Sequence, residues 1–307
     1  MELIRLSVLA CASRQALFWG IAMTGMLGVS FGEPKWQTLP DTPALPAATQ
    51  NGFVPVSGAE IWYSVYGTGE PIIMLHGGLA NSDYWGRQVP ELAKFYQVIV
   101  LDSRGHGRST WDNLVGYDLM VSDVVGVMEQ LNIPRSAIVG WSDGAITGLK
   151  LAMLHPERVS GVFAFGANSN PSGTFDLTNS AMFNAYEARA RVEYERLSRT
   201  PGGYAAFYDQ MLKMWTSQPN MTDRDLQGIR VPVWVVDGDH EEVIKRTDTL
   251  FIADNIPNSG LLIQPEVSHF SLLQDPDQFT LDILRFLQAK GIGKTSSALA
   301  DASPIYA

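Results

Sequence analysis

Short apolar runs recur through the middle of the chain and alternate with longer stretches of helical spacing. The runs Phe53–Val56, Ile61–Tyr66, Ile72–Leu75, Val98–Leu101, Ala137–Val139, Val162–Phe165, Val231–Val236 and Leu261–Ile263 have the length and bounding residues of strands. Helical spacing covers 83–94, 117–131, 144–155, 243–253 and 276–289. In the last of these, Phe279, Ile283, Phe286 and Leu287 fall on one face, with Asp277, Asp282 and Arg285 elsewhere. From Ile72 onward strand and helix alternate, which predicts an α/β fold with a mostly parallel, eight-stranded sheet flanked by helices. One segment, about 168–227, breaks the rhythm. It is helical, rich in aromatic residues and Met, and short for a core of its own, so it predicts a helical cap inserted in the same domain.

The two ends do not share the pattern. Arg5 and Arg14 precede a run without charge from Ala16 to Gly32, and the small residues Ser30 and Gly32 stand before Glu33. Residues 1–32 therefore read as a secretory signal peptide, which implies a secreted or periplasmic protein. An uncleaved membrane anchor is the alternative, because the apolar run is near the lower limit of a span. Pro34, Pro40, Pro43 and Pro46 make 33–52 an extended linker, and 291–307 is polar and rich in small residues, as a flexible tail is. The folded domain is thus expected over 53–290.

Composition removes several function classes. The 307 residues are 46% hydrophobic and 18% charged, with 22 Lys plus Arg against 32 Asp plus Glu, a net charge of -10. That balance disfavours nucleic acid as a partner, since backbone binding rests on basic residues neutralising phosphates. The single cysteine, Cys11, lies in the expected signal segment and excludes an internal disulfide framework or a zinc site built on paired cysteines. No HExxH or close His–carboxylate grouping points to a metal, and no cofactor is implied. Oligomeric state has no signature in the chain.

The candidate chemistry lies in Gly140-Trp141-Ser142-Asp143-Gly144, placed between the run Ala137–Val139 and a helical stretch. A strand-to-helix turn tight enough to expose a serine hydroxyl strains that serine's backbone and crowds the residues two before and two after it, which glycine relieves. The helix beyond supplies amide donors where negative charge develops. His76-Gly77-Gly78 follows another strand, and its glycines let backbone N–H groups face a ligand. The N–H groups of Gly78 and Asp143 are the candidate oxyanion hole. A general base must come from five histidines. His76 braces the glycine turn, His106 lies in a turn after a strand, His155 ends a helix and His240 sits in an acidic loop. His269, after the last strand and before the last helix, is left as proton acceptor from Ser142. For the residue that orients the imidazole, several carboxylates compete in Asp237-Gly238-Asp239-His240-Glu241-Glu242.

The ordered set HGG, DSRGHGRS, GWSDG, GDHEE and VSH resembles the α/β-hydrolase superfamily over about residues 53–290. Within it, GWSDG, the FGAN of residues 165–168 and the helical insertion are similar to the valacyclovirase-like serine esterases, whose relatives include enol-lactone hydrolases. The resemblance implies an α/β-hydrolase fold and a Ser142–His269–acid triad. It puts the acid three residues after Gly238, on Glu241, where the family usually carries aspartate; Asp239 is the fallback. It also implies that Asp143 binds a substrate ammonium group. Against that stands a purely structural role for Asp143, serving the helix dipole or a buried partner such as Arg104 or Asn168. The expected activity is hydrolysis of small carboxylic esters through an acyl-enzyme. A C–C bond hydrolase, lactonase or perhydrolase on the same fold is the alternative, and a non-catalytic binding protein the remaining one.

Overall fold

A computed structural model describes residues 32–293. The expected signal segment, apart from Gly32, and the tail beyond Gly293 lie outside the described residues. Eight strands form one sheet: β1 (Gln50–Val56), β2 (Ala59–Tyr66), β3 (Pro71–Leu75), β4 (Gln97–Leu101), β5 (Ser136–Trp141), β6 (Val159–Phe165), β7 (Val233–Gly238) and β8 (Ser259–Gln264). Their spatial order is β1-β2-β4-β3-β5-β6-β7-β8. β2 pairs antiparallel with β1 and β4, and every other pairing is parallel. The helices are α1 (Val89–Leu92), α2 (Tyr117–Gln130), α3 (Asp143–Leu154), α4 (Ala181–Leu197), α5 (Tyr204–Ser217), α6 (Asp223–Gly228), α7 (Arg246–Asn255), α8 (Ser271–Gln274) and α9 (Pro276–Ala289).

The central strands β3, β4 and β5 are buried almost throughout, because helices cover both faces and each residue needs an apolar environment whichever way it points. α9 shows how one helix is fixed. Asp275 caps it by accepting from the Gln278 N–H, and Pro276 occupies the first turn, where no N–H is needed. Its buried Phe279 and Phe286 meet Phe163 of β6. Each such side chain contributes about 1.5–3 kcal/mol of burial.

Between β6 and β7 the chain leaves the sheet and forms α4, α5 and α6, the expected cap. Its aromatics divide by task. Tyr194 and Phe207 stack on each other, and Phe207 packs edge-on to His106 and Trp111, which seats the cap on the body of the protein. Phe183, Tyr186 and Trp215 instead face a cavity over the C-terminal ends of the strands.

The proline-rich stretch read above as a linker does not hang free. Its backbone is extended apart from a 3-10 turn at Lys35–Gln37, but it is strapped across the domain, and β1 already begins at Gln50. Arg189 of α4 donates to the carbonyls of Leu39 and Pro40, and Gln274 donates to that of Thr38 at 2.9 Å. Lys35 pairs with Asp275 at 2.6 Å, Trp36 stacks on His240 at 3.9 Å, and Leu39, Leu45 and Ala48 pack against the core. Prolines stiffen the segment and lower the entropy lost on docking it. Deleting residues 33–46 is expected to cost about 3–5 kcal/mol, since several hydrogen bonds of about 1 kcal/mol each are lost together with apolar contact. Thermal unfolding followed by circular dichroism should show Tm lower by about 10 °C; an unchanged Tm would mean that the strap carries no stability.

Candidate active site

Ser142 sits between β5 and α3 with φ 55° and ψ -120°, a conformation that a residue with a Cβ rarely adopts. Its N–H donates to the Phe165 carbonyl at 2.8 Å, and its carbonyl accepts from Ala145 and Ile146, so the turn is held from both sides. The flanking glycines are needed on steric grounds. A Cβ on Gly140 would lie 2.5 Å from Gly144 O and from the Ala145 backbone, and one on Gly144 would lie 2.0 Å from the Leu75 carbonyl. The crowding predicted between the two glycines is present, and the end of β3 adds to it.

His269 is buried and faces the same cavity as Ser142. Its Nδ1 is 2.8 Å from Glu241 Oε1. The ring N–H is not aimed along that line, as is common for such contacts before a substrate tightens them. Glu241 Oε1 also accepts from the Val243 and Ile244 N–H groups at 2.8 and 3.0 Å. These bonds fix the glutamate carboxylate against its own loop. Asp239 is elsewhere: it accepts from the Val267 N–H at 3.3 Å and is 3.9 Å from His240.

The loop bearing His269 is fastened on several sides. Trp141 Nε1 donates to the His269 carbonyl at 2.9 Å, and Glu242 accepts from the His269 N–H and the Ser268 hydroxyl, each at 3.1 Å. Gln274 accepts from the Ser268 N–H at 2.7 Å while holding the strap at Thr38. Gly166, at φ 66°, backs the imidazole so closely that a Cβ would lie 2.8 Å from Cε1. Burial lowers the His269 pKa, and nearby acidic groups, Glu242 first, oppose that shift. The resting imidazole is therefore neutral at neutral pH and able to take a proton.

Gly78 and Asp143 line the cavity beside Ser142. As the first residue of α3, Asp143 has no carbonyl a turn earlier for its N–H. The His76 ring supports the Gly78 turn: Nδ1 donates to the Gly77 carbonyl at 2.7 Å, and Nε2 accepts from the Ser103 N–H at 3.0 Å. A Cβ on Gly78 would strike Trp215 and the Asp143 carboxylate, both within 2.5 Å. His106, His155 and His240 take no part in the cavity. Among the described residues, no group of three His, Cys, Asp or Glu is placed to hold a metal ion.

The side chain of Asp143 has partners that sequence reasoning missed. Tyr117 of α2 donates to it at 2.8 Å and Trp215 of α5 at 2.9 Å. Arg104 instead forms a buried ion pair with Asp123 at 2.6 Å, and Asn168 donates to the Asn170 carbonyl. Burial raises the Asp143 pKa to about 6, although the Trp215 and Tyr117 donors pull it down. The remaining cavity wall includes Leu177, Phe183, Tyr186 and Ile244, and it encloses about 100 Å³ of free space.

Three comparisons bear on this geometry. A family model described as the alpha/beta hydrolase fold matches residues 70–204. The chain is 26% identical over 268 residues to a 2-hydroxy-6-oxo-6-(2'-aminophenyl)hexa-2,4-dienoic acid hydrolase of Metapseudomonas resinovorans, covering 78% of this chain and 91% of that one. It is 25% identical over 250 residues to the serine hydrolase BPHL of Homo sapiens, covering 76% and 85%. Among solved structures it is similar to Est816, described as an N-acyl homoserine lactone degrading enzyme, with TM-score 0.66, 26% identity, and coverage of 76% of this chain and 99% of that one.

The raised pKa of Asp143 has a consequence for stability. The carboxyl ionises near 3.8 when unfolded and near 6 when folded, so over that interval the folded state binds the extra proton and stability falls as pH rises. Asp143→Asn mimics the protonated form and should remove roughly 3 kcal/mol of that decline. Urea unfolding of both proteins at several pH values between 4 and 7 checks this. Parallel curves would mean that Asp143 ionises normally in the folded protein.

Proposed function

We propose that the chain, whose residues 70–204 match the alpha/beta hydrolase fold, is a serine hydrolase acting on small carboxylic esters through an acyl-enzyme. Ser142 is the nucleophile. His269 takes its proton and later returns one to the leaving alcohol, and Glu241 fixes the imidazole orientation and balances its charge. The N–H groups of Gly78 and Asp143 stabilise the tetrahedral oxyanion, a contribution of about 3–4 kcal/mol per donor. Water activated by His269 then releases the acid. The observation that carries this reading is the contact of 2.8 Å between His269 Nδ1 and Glu241 Oε1, with His269 and Ser142 lining one cavity.

The small enclosed volume favours a short acyl group. The relatives' own substrates keep a second reading open: one is named for a dienoic acid and another for a lactone. A lactone is an internal ester, so it requires the same acyl–oxygen cleavage. C–C bond cleavage differs in its leaving group. As a substrate-binding residue, Asp143 would receive a cationic group on a carboxylate already held by Tyr117 and Trp215. The proposed site of action is outside the cytoplasm, through export directed by residues 1–32.

Ser142→Ala should lower kcat for a short p-nitrophenyl ester at least about 10⁴-fold and abolish labelling by a fluorophosphonate probe. Retained turnover in that variant would refute the mechanism. A panel of neutral esters, amino-acid esters, lactones and diketones, with the products identified, separates the substrate classes. Faster turnover of amino-acid esters, lost in Asp143→Asn, is the outcome expected if Asp143 binds an ammonium group; equal rates would remove that role. Cell fractionation should recover the protein from the periplasm or medium, and recovery in the cytosol would refute export.

A further inference from the structure

Behind Glu241 lies a second buried carboxyl that the mechanism above does not use. Asp237, at the end of β7, is fully buried. Its Oδ2 accepts from the Thr249 hydroxyl at 2.6 Å and lies 3.1 Å from Arg246 Nη1, whose N–H is not aligned on it. Its Oδ1 and Glu241 Oε2 are both enclosed and have no conventional donor, yet the two carboxyls are within hydrogen-bonding reach of each other. Two ionised carboxylates cannot share such a contact, because each is an acceptor only. One proton between them satisfies both orphaned oxygens.

The donors decide which residue holds it. Glu241 Oε1 accepts from the N–H groups of Val243 and Ile244, which stabilise the anion, and faces His269 Nδ1 at 2.8 Å. Asp237 has one hydroxyl and an off-line guanidinium. We propose that Asp237 is a positioning residue that stays protonated and donates its carboxyl proton to Glu241 Oε2, so that Glu241 presents its charge to His269 through Oε1. This deepens the proposed function and rests on Glu241 acting as the acid of the triad. Burial first, and then the charge of Glu241, raise the Asp237 pKa, in keeping with that assignment. The other groups facing the pair are Glu242 from its own loop, Arg246 from α7 and His269 from the loop after β8. Asp248 of α7 turns away to Ser169.

Asparagine reproduces the proposed pattern: its carbonyl can serve Thr249 and Arg246 while its amide donates to Glu241. The test uses the full chain with Asp237→Asn, Asp237→Ala and Glu241→Gln. Infrared difference spectra of the resting protein at pH 7 should contain a protonated-carboxyl stretch, shifted in D2O, that is lost in Asp237→Asn. Asp237→Asn should keep kcat/KM within about threefold, with the acid limb of its pH profile in place. Asp237→Ala should lose about 10- to 100-fold at pH 7, with the acid limb moved to higher pH because Glu241, deprived of its donor, takes up a proton. The proposal is overturned if the band is absent, or if it disappears in Glu241→Gln but not in Asp237→Asn. It is also overturned if Asp237→Asn and Asp237→Ala lose activity equally with unmoved pH limbs. The spectra need no turnover, so a failure of the hydrolase reading (an unreactive Ser142) is distinguishable from a failure of this one.

Discussion

Ser142 is held at φ 55° and ψ -120°, and the arrangement of the site follows from what it takes to keep it there. A residue in that region costs of order 1–3 kcal/mol and persists only where its surroundings over-determine it. Here they do. The Ser142 N–H is committed to the Phe165 carbonyl of β6, and its carbonyl to the first turn of α3. The space for the turn exists only because Gly140 and Gly144 lack side chains. The parallel sheet supplies the rigidity: β5 lies between β3 and β6, so the ends of three strands fix the serine, the Gly78 turn and Gly166 in one frame.

The second constraint is charge without water. Glu241, Asp237, Asp143 and His269 are all buried beside one another, and burial pushes each toward its neutral form. Hydrogen bonds sort them. Burial raises the Glu241 pKa to about 7 while its backbone donors pull it down, Asp143 gains two side-chain donors, and His269 stays neutral at rest. The loops carrying these groups would be floppy by themselves. They are tied by Glu242, by Gln274 and by the strap that Gln274 holds at Thr38.

Much of this is legible in the sequence because local physics forces local composition. The central strands, covered on both faces, must be apolar along their length and so appear as runs; the less buried edge strands β1 and β8 carry enough apolar residues to appear too, with β1 beginning three residues earlier than its run. The turn at Ser142 must carry glycines, and chain order singles out His269. Partners across the fold leave no such trace. Tyr117 and Trp215 are 26 and 72 residues from Asp143, and nothing near them in sequence marks them as its donors. Arg104, expected there, is drawn to Asp123, where two of its nitrogens reach both carboxylate oxygens. The prolines of 33–52 signal extended backbone but not the surface it lies on. Asp237 reads as one acidic residue among several; only its burial against Glu241 distinguishes it.

Asp143 joins these two constraints. In the proposed mechanism its N–H serves the oxyanion, while its carboxylate, ionised above about pH 6, opposes that charge. The same carboxylate favours the imidazolium that His269 becomes in the transition state, since its charge raises the His269 pKa. The Trp215 and Tyr117 donors withdraw part of the carboxylate's charge density from the oxyanion side without neutralising it. Because Trp215 belongs to α5, that balance exists only with the cap seated. A cap displaced by a bulky substrate would lose the Trp215 bond and leave an anion less well held beside the oxyanion site. In the proposed mechanism substrate size would therefore act on the chemistry as well as on binding, with the aromatic packing of Phe207 and Tyr194 that seats the cap supporting it at one remove.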